Sequence, residues 1–199
     1  MFTIFVLILN ALFAAAVVFP KDIEKRLDSR VSINDSKKLS QKKRLIANDW
    51  ILKNAAAWGV GAIDNTQIDK LGIVKAANKA FKISTNIVNN YLNNSLNFLL
   101  IDAFYIPHFR GFPVGTGKIE GKGRQMAIIK GDRISLSIAA ASIIAKVARD
   151  GYMIKVSSSE NYKRYGWKQN KGYATLHHRI AVKEYGITDL HRKSFLKGY

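Results

Sequence analysis

The chain has no cysteine, only 3 prolines and few acids: 14 Asp and Glu stand against 32 Lys and Arg. Without cysteine there is no disulfide, no thiol nucleophile and no cysteine-based zinc site. A reducing cytosol is the compartment in keeping with that absence. The first acid is Asp22, so residues 1–21 contain none. Scarcity of acids leaves a formal net charge of +18. Such an excess favours a polyanionic partner, because neutralising phosphates releases condensed counterions. A basic protein with no such partner is the plainer alternative.

What is present argues for a folded chain. Hydrophobic residues make up 48% and aromatics 11%, which excludes general disorder. A length of 199 residues accommodates one well-buried domain or at most two small ones. Residues 1–19, MFTIFVLILNALFAAAVVF, are almost wholly apolar. Their length suits a membrane helix or a signal peptide. No basic residue precedes the run, Asn10 interrupts its centre, and β-branched and aromatic residues are frequent in it. The preferred reading is two buried strands, Thr3–Leu9 and Phe13–Phe19, turning at Asn10.

Beyond this run the pattern alternates. Ser40 is placed to cap a helix from Gln41 to about Ala56, burying Leu45, Trp50 and Ile51. Trp58–Ile63 reads as a strand. Asn65 or Thr66 then caps a helix whose residues Ile68, Leu71, Val74, Ala77 and Phe81 recur at three and four. Residues 83–94 are rich in Asn and carry a helical segment. Leu96–Ile101 reads as a buried strand, Pro107–Gly123 as a loop and Met126–Ile129 as another strand. Residues 137–153 are the clearest helix, with small alanines that let it lie close to a sheet. A last helix spans about Leu176–Tyr185 and ends at Gly186. Strands alternating with helices predict an α/β core, about 1–155, with a small helical C-terminal cap, about 156–199, in a single domain.

Two carboxylates stand out. Asp102 ends the apolar run Phe98-Leu-Leu-Ile-Asp, and Asp150 lies near the far end of the clearest helix. A strand-end acid and a helix acid suit a divalent metal beside a phosphate. The alternatives are a strand cap for Asp102 and an ion pair with Arg149 or Lys146 for Asp150. Asp132, in Lys-Gly-Asp, reads as a turn or helix-cap residue. The adjacent His177 and His178 read as surface or cap residues, since neighbours on a helix do not share a face. Residues 155–199 mix ten basic residues with aromatics. That mixture suits a surface that tracks a nucleic-acid backbone, or else a solvated rim around an aromatic minicore.

Several segments together resemble the type 2 ribonucleases H, specifically bacterial ribonuclease HII. They are Asn34-Asp-Ser-Lys-Lys-Leu-Ser40, Ile63-Asp-Asn65, Leu100-Ile-Asp102, Lys130-Gly-Asp132, Ile138-Ala-Ala-Ala-Ser-Ile-Ile-Ala-Lys146, Arg149-Asp150, Lys171-Gly-Tyr-Ala-Thr175 and His191-Arg-Lys-Ser-Phe195. They run in the family's order from about residue 14 to residue 195. The resemblance implies a ribonuclease H-like mixed sheet flanked by helices, Mg²⁺ or Mn²⁺ as cofactor, and RNA–DNA hybrids or ribonucleotide-containing DNA as substrate. It also implies a cytoplasmic monomer with no membrane association. Asp102 and Asp150 are then the expected metal ligands and catalytic carboxylates. Tyr173 is expected to pack on the ribose at an RNA–DNA junction. Lys37, Lys38 and Lys171 are expected at the nucleic acid.

The resemblance stops at the N-terminal side. The family's first motif is a strand ending in Asp-Glu, then Ala-Gly-Arg-Gly, a turn with Gly-Pro, and a second strand. Only the second strand has a counterpart here, at Ala14–Phe19, and no residue in 1–21 can serve as an acidic ligand. The expectation is poor cleavage by the chain as written. A non-catalytic nucleic-acid-binding remnant is the alternative, and a membrane-anchored basic protein a third reading.

Overall fold

A computed structural model describes residues 11–96, 98–102 and 124–196. The expected strand Thr3–Leu9, the turn at Asn10 and the loop Pro107–Gly123 lie outside the described residues. Strand β1 spans Leu12–Val18 and pairs antiparallel with β2, Ala57–Ile63, from Leu12 opposite Ile63 to Val18 opposite Ala57. Residues 12–18 are therefore sheet, and the apolar run 1–19 is not one membrane helix. Among the described residues no helix is long and apolar enough to cross a membrane.

Side chains alternate along a strand, so β1 presents two faces. Ala15 and Val17, with Phe19 beyond the strand, meet one apolar cluster. It is built from Ala47 and Ile51 of α2, Gln41–Asn54, and from Ala140, Ile143 and Ile144 of α5, Leu136–Ser157. Leu12 and Ala14 meet another cluster, of Ile63, Ile68, Ala76 and Ala80. There α3, Asn65–Leu71, and α4, Ile73–Tyr91, cover the sheet. The result is three layers, helix–sheet–helix. Close approach on the α4 side depends on glycine. A Cβ on Gly61 would lie 2.1 Å from the Ala80 carbonyl oxygen, and one on Gly59 would lie 2.8 Å from that of Ser84.

Strand β3, Phe98–Asp102, pairs in parallel with β4, Arg124–Ile128. After α5 the chain forms short helices α6, Glu160–Lys163, and α7, Trp167–Asn170, then α8, Leu176–Tyr185. Met153 of α5, Tyr165, Trp167, Ala181 and Val182 form their common core.

Several expectations need correction. Ser40 does cap α2, accepting from the Lys43 amide, but Leu45 faces solvent and the buried face runs through Ala47 and Ile51. The cap of α3 is Asp64, whose carboxylate accepts from the Gln67 amide. A break at Gly72, with φ +76°, separates α3 from α4. The phase therefore shifts: Val74 is exposed, and Ala76, Ala77, Ala80, Ser84 and Val88 are buried. Strand β3 is only half covered, with Phe98 and Leu100 exposed and Ile101 buried.

Candidate active site

Asp102 is the last residue of β3, paired across the parallel ladder with Ile128 at the end of β4. The chain leaves β4 through Lys130, which has a left-handed backbone with φ +57°, and enters a 3₁₀ turn, Gly131–Arg133. Ser135 follows as the cap of α5, accepting from the Ile138 amide. The Gly131 amide donates to Asp102 Oδ1 at 2.8 Å. The packing at Gly131 is close: a Cβ there would come within 2.6 Å of Ile138 Cδ1, so the Ile138 side chain would have to shift. Asp102 is thus docked against the turn that starts α5.

Asp132 sits in that turn. Burial first, then the neighbouring charges of Asp102 and Asp35, raise its carboxyl above the usual range. Lys37 and Arg133 oppose the shift. Asp35 is buried, accepts from the Lys37 amide at 3.1 Å, and pairs with Arg133 Nη2 at 3.5 Å. Three carboxylates, Asp35, Asp102 and Asp132, therefore share one neighbourhood. The reading of Asp132 as a turn residue is correct for its backbone and incomplete for its side chain. The signal that could have found it is the acid itself, four residues past the strand-ending Ile128 and three before the helix cap Ser135.

Asp150 has other company. Its carboxylate accepts from Lys146 Nζ at 2.7 Å, Arg149 Nη1 at 3.1 Å and Arg44 Nη1 at 3.5 Å. All four side chains are mostly buried. Ile138 touches Gly131 and so marks the Asp102 end of α5; Asp150 lies 12 residues further on, about 18 Å along the axis. The described contacts do not bring the Asp150 carboxylate to Asp102. The structure gives Asp150 the ion-pair role that was the alternative for it. Arg44 joins the two regions, since its Nε donates to Ser36 O and its Nη2 to Leu39 O in the loop that carries Asp35. Ser36 Oγ also bonds Ser142 Oγ of α5 at 2.8 Å.

The expected nucleic-acid residues divide between these regions. Lys37 and Lys38 are exposed on the loop beside Asp35. Tyr173 and Lys171 lie near Asp150. The Tyr173 hydroxyl accepts from Lys146 Nζ at 3.1 Å, and its ring lies 4.8 Å from the Arg149 guanidinium carbon. Lys171 Nζ donates to Lys168 O, and burial lowers its pKa. His178 is fully buried, which corrects its reading as a surface or cap residue; His177 is exposed.

Asp102 and Asp132 offer hard carboxylate oxygens, the donors that Mg²⁺ and Mn²⁺ prefer. Their mutual repulsion is what a divalent cation would relieve. Among the described residues no three His or acidic side chains converge closely enough to hold a metal alone. The pair fits a cation that completes its shell with water and phosphate oxygens, as Mg²⁺ commonly does.

The family described as Ribonuclease HII matches residues 8–197. The chain is 41% identical over 184 residues to the ribonuclease HII of Clostridioides difficile, covering 92% of this chain and 63% of the relative. It is 38% identical over 186 residues to that of Bacteroides fragilis, covering 94% and 82%. The chain spans 63% and 65% of the length of two clostridial relatives. Among solved structures, the PCNA:RNase HII complex from Archaeoglobus fulgidus aligns with a TM-score of 0.71 at 22% identity, covering 97% of this chain and 90% of that one. Bst-RNase HIII in complex with Mn²⁺ aligns at 0.61 and 15% identity, covering 94% and 63%. At these identities the structural likeness establishes the fold, a ribonuclease H-like α/β arrangement.

Proposed function

The chain belongs to the ribonuclease HII family, and from that premise we propose that it acts on RNA–DNA hybrids or ribonucleotide-containing DNA as a divalent-metal-dependent endoribonuclease. The observation that carries this reading is the meeting of Asp102 and Asp132 where β3 ends and α5 begins, beside Asp35 and Lys37. Asp102 and Asp132 hold Mg²⁺ or Mn²⁺ in this proposal. A bound ion polarises a phosphoryl oxygen and acidifies a water. Asp35 keeps Arg133 and the Lys37 loop in place. Lys37 and Lys38 contact backbone phosphates, which orient a duplex without reading its sequence. Tyr173 packs on a sugar, with Lys171 at the neighbouring phosphate. Asp150 orders Arg44, Lys146 and Arg149 and is not a ligand. The body is one domain, about 1–155 forming the core and about 156–199 the cap, working as a cytoplasmic monomer.

As written, the chain is a weak catalyst in this proposal. Two divalent ions carry four positive charges, and one phosphate with Asp102 and Asp132 leaves them undercompensated. Residues 1–21 supply no further acid. The test uses one hybrid substrate with Mn²⁺ and four proteins: the chain itself, Asp102→Asn, Asp132→Asn, and a version carrying Asp-Glu-Ala-Gly-Arg-Gly before the Ala14–Phe19 strand. Slow cleavage abolished by either Asn variant, and a large gain in the fourth protein, are the expected results. Cleavage unaffected by Asp102→Asn and Asp132→Asn defeats the site assignment. Specific hybrid binding without cleavage in any of the four favours the non-catalytic remnant.

A further inference from the structure

We propose that His178 is a positioning residue for Tyr173, holding from below the turn that carries the aromatic ring to the nucleic acid. The inference rests on the reading above in one respect, that Tyr173 contacts substrate.

The turn between α7 and α8 has little regular structure to hold it. Lys171 and Gly172 both adopt left-handed backbone, with φ of 50° and 80°. Such a turn needs tethers. Asn170 Oδ1 accepts from the Gly172 amide at 2.8 Å, and Arg149 Nη2 donates to the Lys171 carbonyl. The Tyr173 amide donates to the Asn170 carbonyl at 2.9 Å and its carbonyl accepts from the Thr175 amide at 2.8 Å; the side-chain tether from α8 is His178. Its Nδ1 lies 2.9 Å from the Tyr173 carbonyl oxygen.

The direction of that bond follows from Trp167. Indole Nε1 can only donate. It lies 3.2 Å from His178 Nε2, so Nε2 must be the accepting nitrogen. The ring proton of the neutral imidazole is then on Nδ1 and is donated to the Tyr173 carbonyl. Trp167 therefore selects the tautomer, and the tautomer fixes the turn. Trp167 and His178 are both fully buried, so no water can substitute for the bond between them. His191, Tyr165 and Trp167 pack around the imidazole and leave it a single orientation.

Above the turn, Lys146 Nζ holds the Tyr173 hydroxyl and Arg149 lies over its ring. The phenol is thus fixed from α5 and its backbone from α8. Removing the His178 contact leaves the Tyr173 carbonyl with the Thr175 amide, at 2.8 Å, as its remaining donor, and the ring is then held less firmly while the cations remain.

The experiment measures binding of the full chain to an RNA–DNA hybrid in metal-free buffer, where cleavage does not intrude. Tyr173→Ala is expected to weaken binding about fivefold or more, the scale of one stacked base. His178→Leu is expected to weaken it about fivefold, the scale of one hydrogen bond. In a double-mutant cycle, His178→Leu should add nothing once Tyr173 is Ala. His178→Asn, whose side-chain amide can reach the same carbonyl, should restore most of the loss. Nitrogen-15 spectra of the unsubstituted protein should show His178 as the Nδ1–H tautomer, a readout independent of whether His178→Leu folds. An Nε2–H tautomer, additive losses, or a His178→Leu protein that is folded and binds normally while Tyr173→Ala does not, overturns the positioning role. Normal binding by Tyr173→Ala instead overturns the substrate role of Tyr173, on which this inference stands.

Discussion

Asp132 is a residue held where it destabilises the chain around it. Its raised pKa, caused first by burial and then by Asp102 and Asp35, means that the charged form is disfavoured in the fold. The sign follows: stability is greater below the ordinary carboxylate range and falls as pH rises through the folded-state pKa. At neutral pH the removal of this charge should help. Asp132→Asn is expected to raise the metal-free melting temperature by about 2 °C, the order that a modest gain brings in a domain this size. Adding Mn²⁺ should stabilise the original protein and not the variant, because ligand binding stabilises only the state that binds. A calorimetric scan showing no metal effect in either protein, or a lower melting point for Asp132→Asn without metal, contradicts this account. Much of the site could be read in the sequence through Asp102, whose place at the end of an apolar run needs only local pattern. Asp132 could not, because its turn chemistry is local while its nearness to Asp102 and Asp35 arises only on folding. For Asp150 the helix is plain in the sequence, but its place along that helix from the Asp102 end counts only once Gly131 is seen against Ile138.

At the level of elements, the sheet and α4 meet almost backbone to backbone. A Cβ at position 61 would lie well inside contact distance of a main-chain oxygen that cannot rotate away. Gly61→Ala is therefore expected to cost about 1–3 kcal/mol or more, the range for overpacked cores, read as a lower urea midpoint. An unchanged midpoint would mean that α4 is not seated as described. The C-terminal elements have a different weakness. His191 is fully buried, and its Nδ1 accepts from the Thr188 amide at 2.9 Å. Burial first, then His178, push its pKa down to about 4, against the pull of Asp189. A depressed histidine contributes stability that is complete above its unfolded pKa, 6.5, and is lost as pH falls toward about 4. Up to about 3 kcal/mol is at stake over that interval. Amide exchange in α8 should therefore accelerate between pH 6.5 and 4.5 beyond its intrinsic pH dependence, ahead of α4. Equal protection of the two helices throughout would exclude a histidine-linked opening. These features separate what pattern discloses from what it hides. The bounds of α8 and the Ser40 cap are local chemistry and were legible. The phase of α4 was not, because the break at Gly72 resets it and the sheet glycines bury alanines in place of the larger Val74.

For the molecule as a whole, charge is the dominant fact. A net +18 on 199 residues leaves far more cation than its own carboxylates absorb. Hybrid binding should accordingly fall linearly with salt on a double-logarithmic plot, with a slope of about −3 or steeper. An affinity indifferent to salt between low and physiological concentrations would remove the electrostatic account. The charge is widely spread, on the loop at Lys37 and Lys38, around Asp150 and along the C-terminal elements, so no single lysine variant should abolish binding. The pairing of Trp167 with His178 has a further consequence, in photophysics. An indole sealed from water emits at short wavelength, and an imidazole quenches it strongly only when that imidazole gains a second proton. Trp58 is exposed and Trp50 half-buried against Phe19, so their emission lies elsewhere or answers to other neighbours. The chain thus carries its own lamp near Tyr173, bright while Nε2 of His178 accepts from the indole and dimmed when that nitrogen takes a proton.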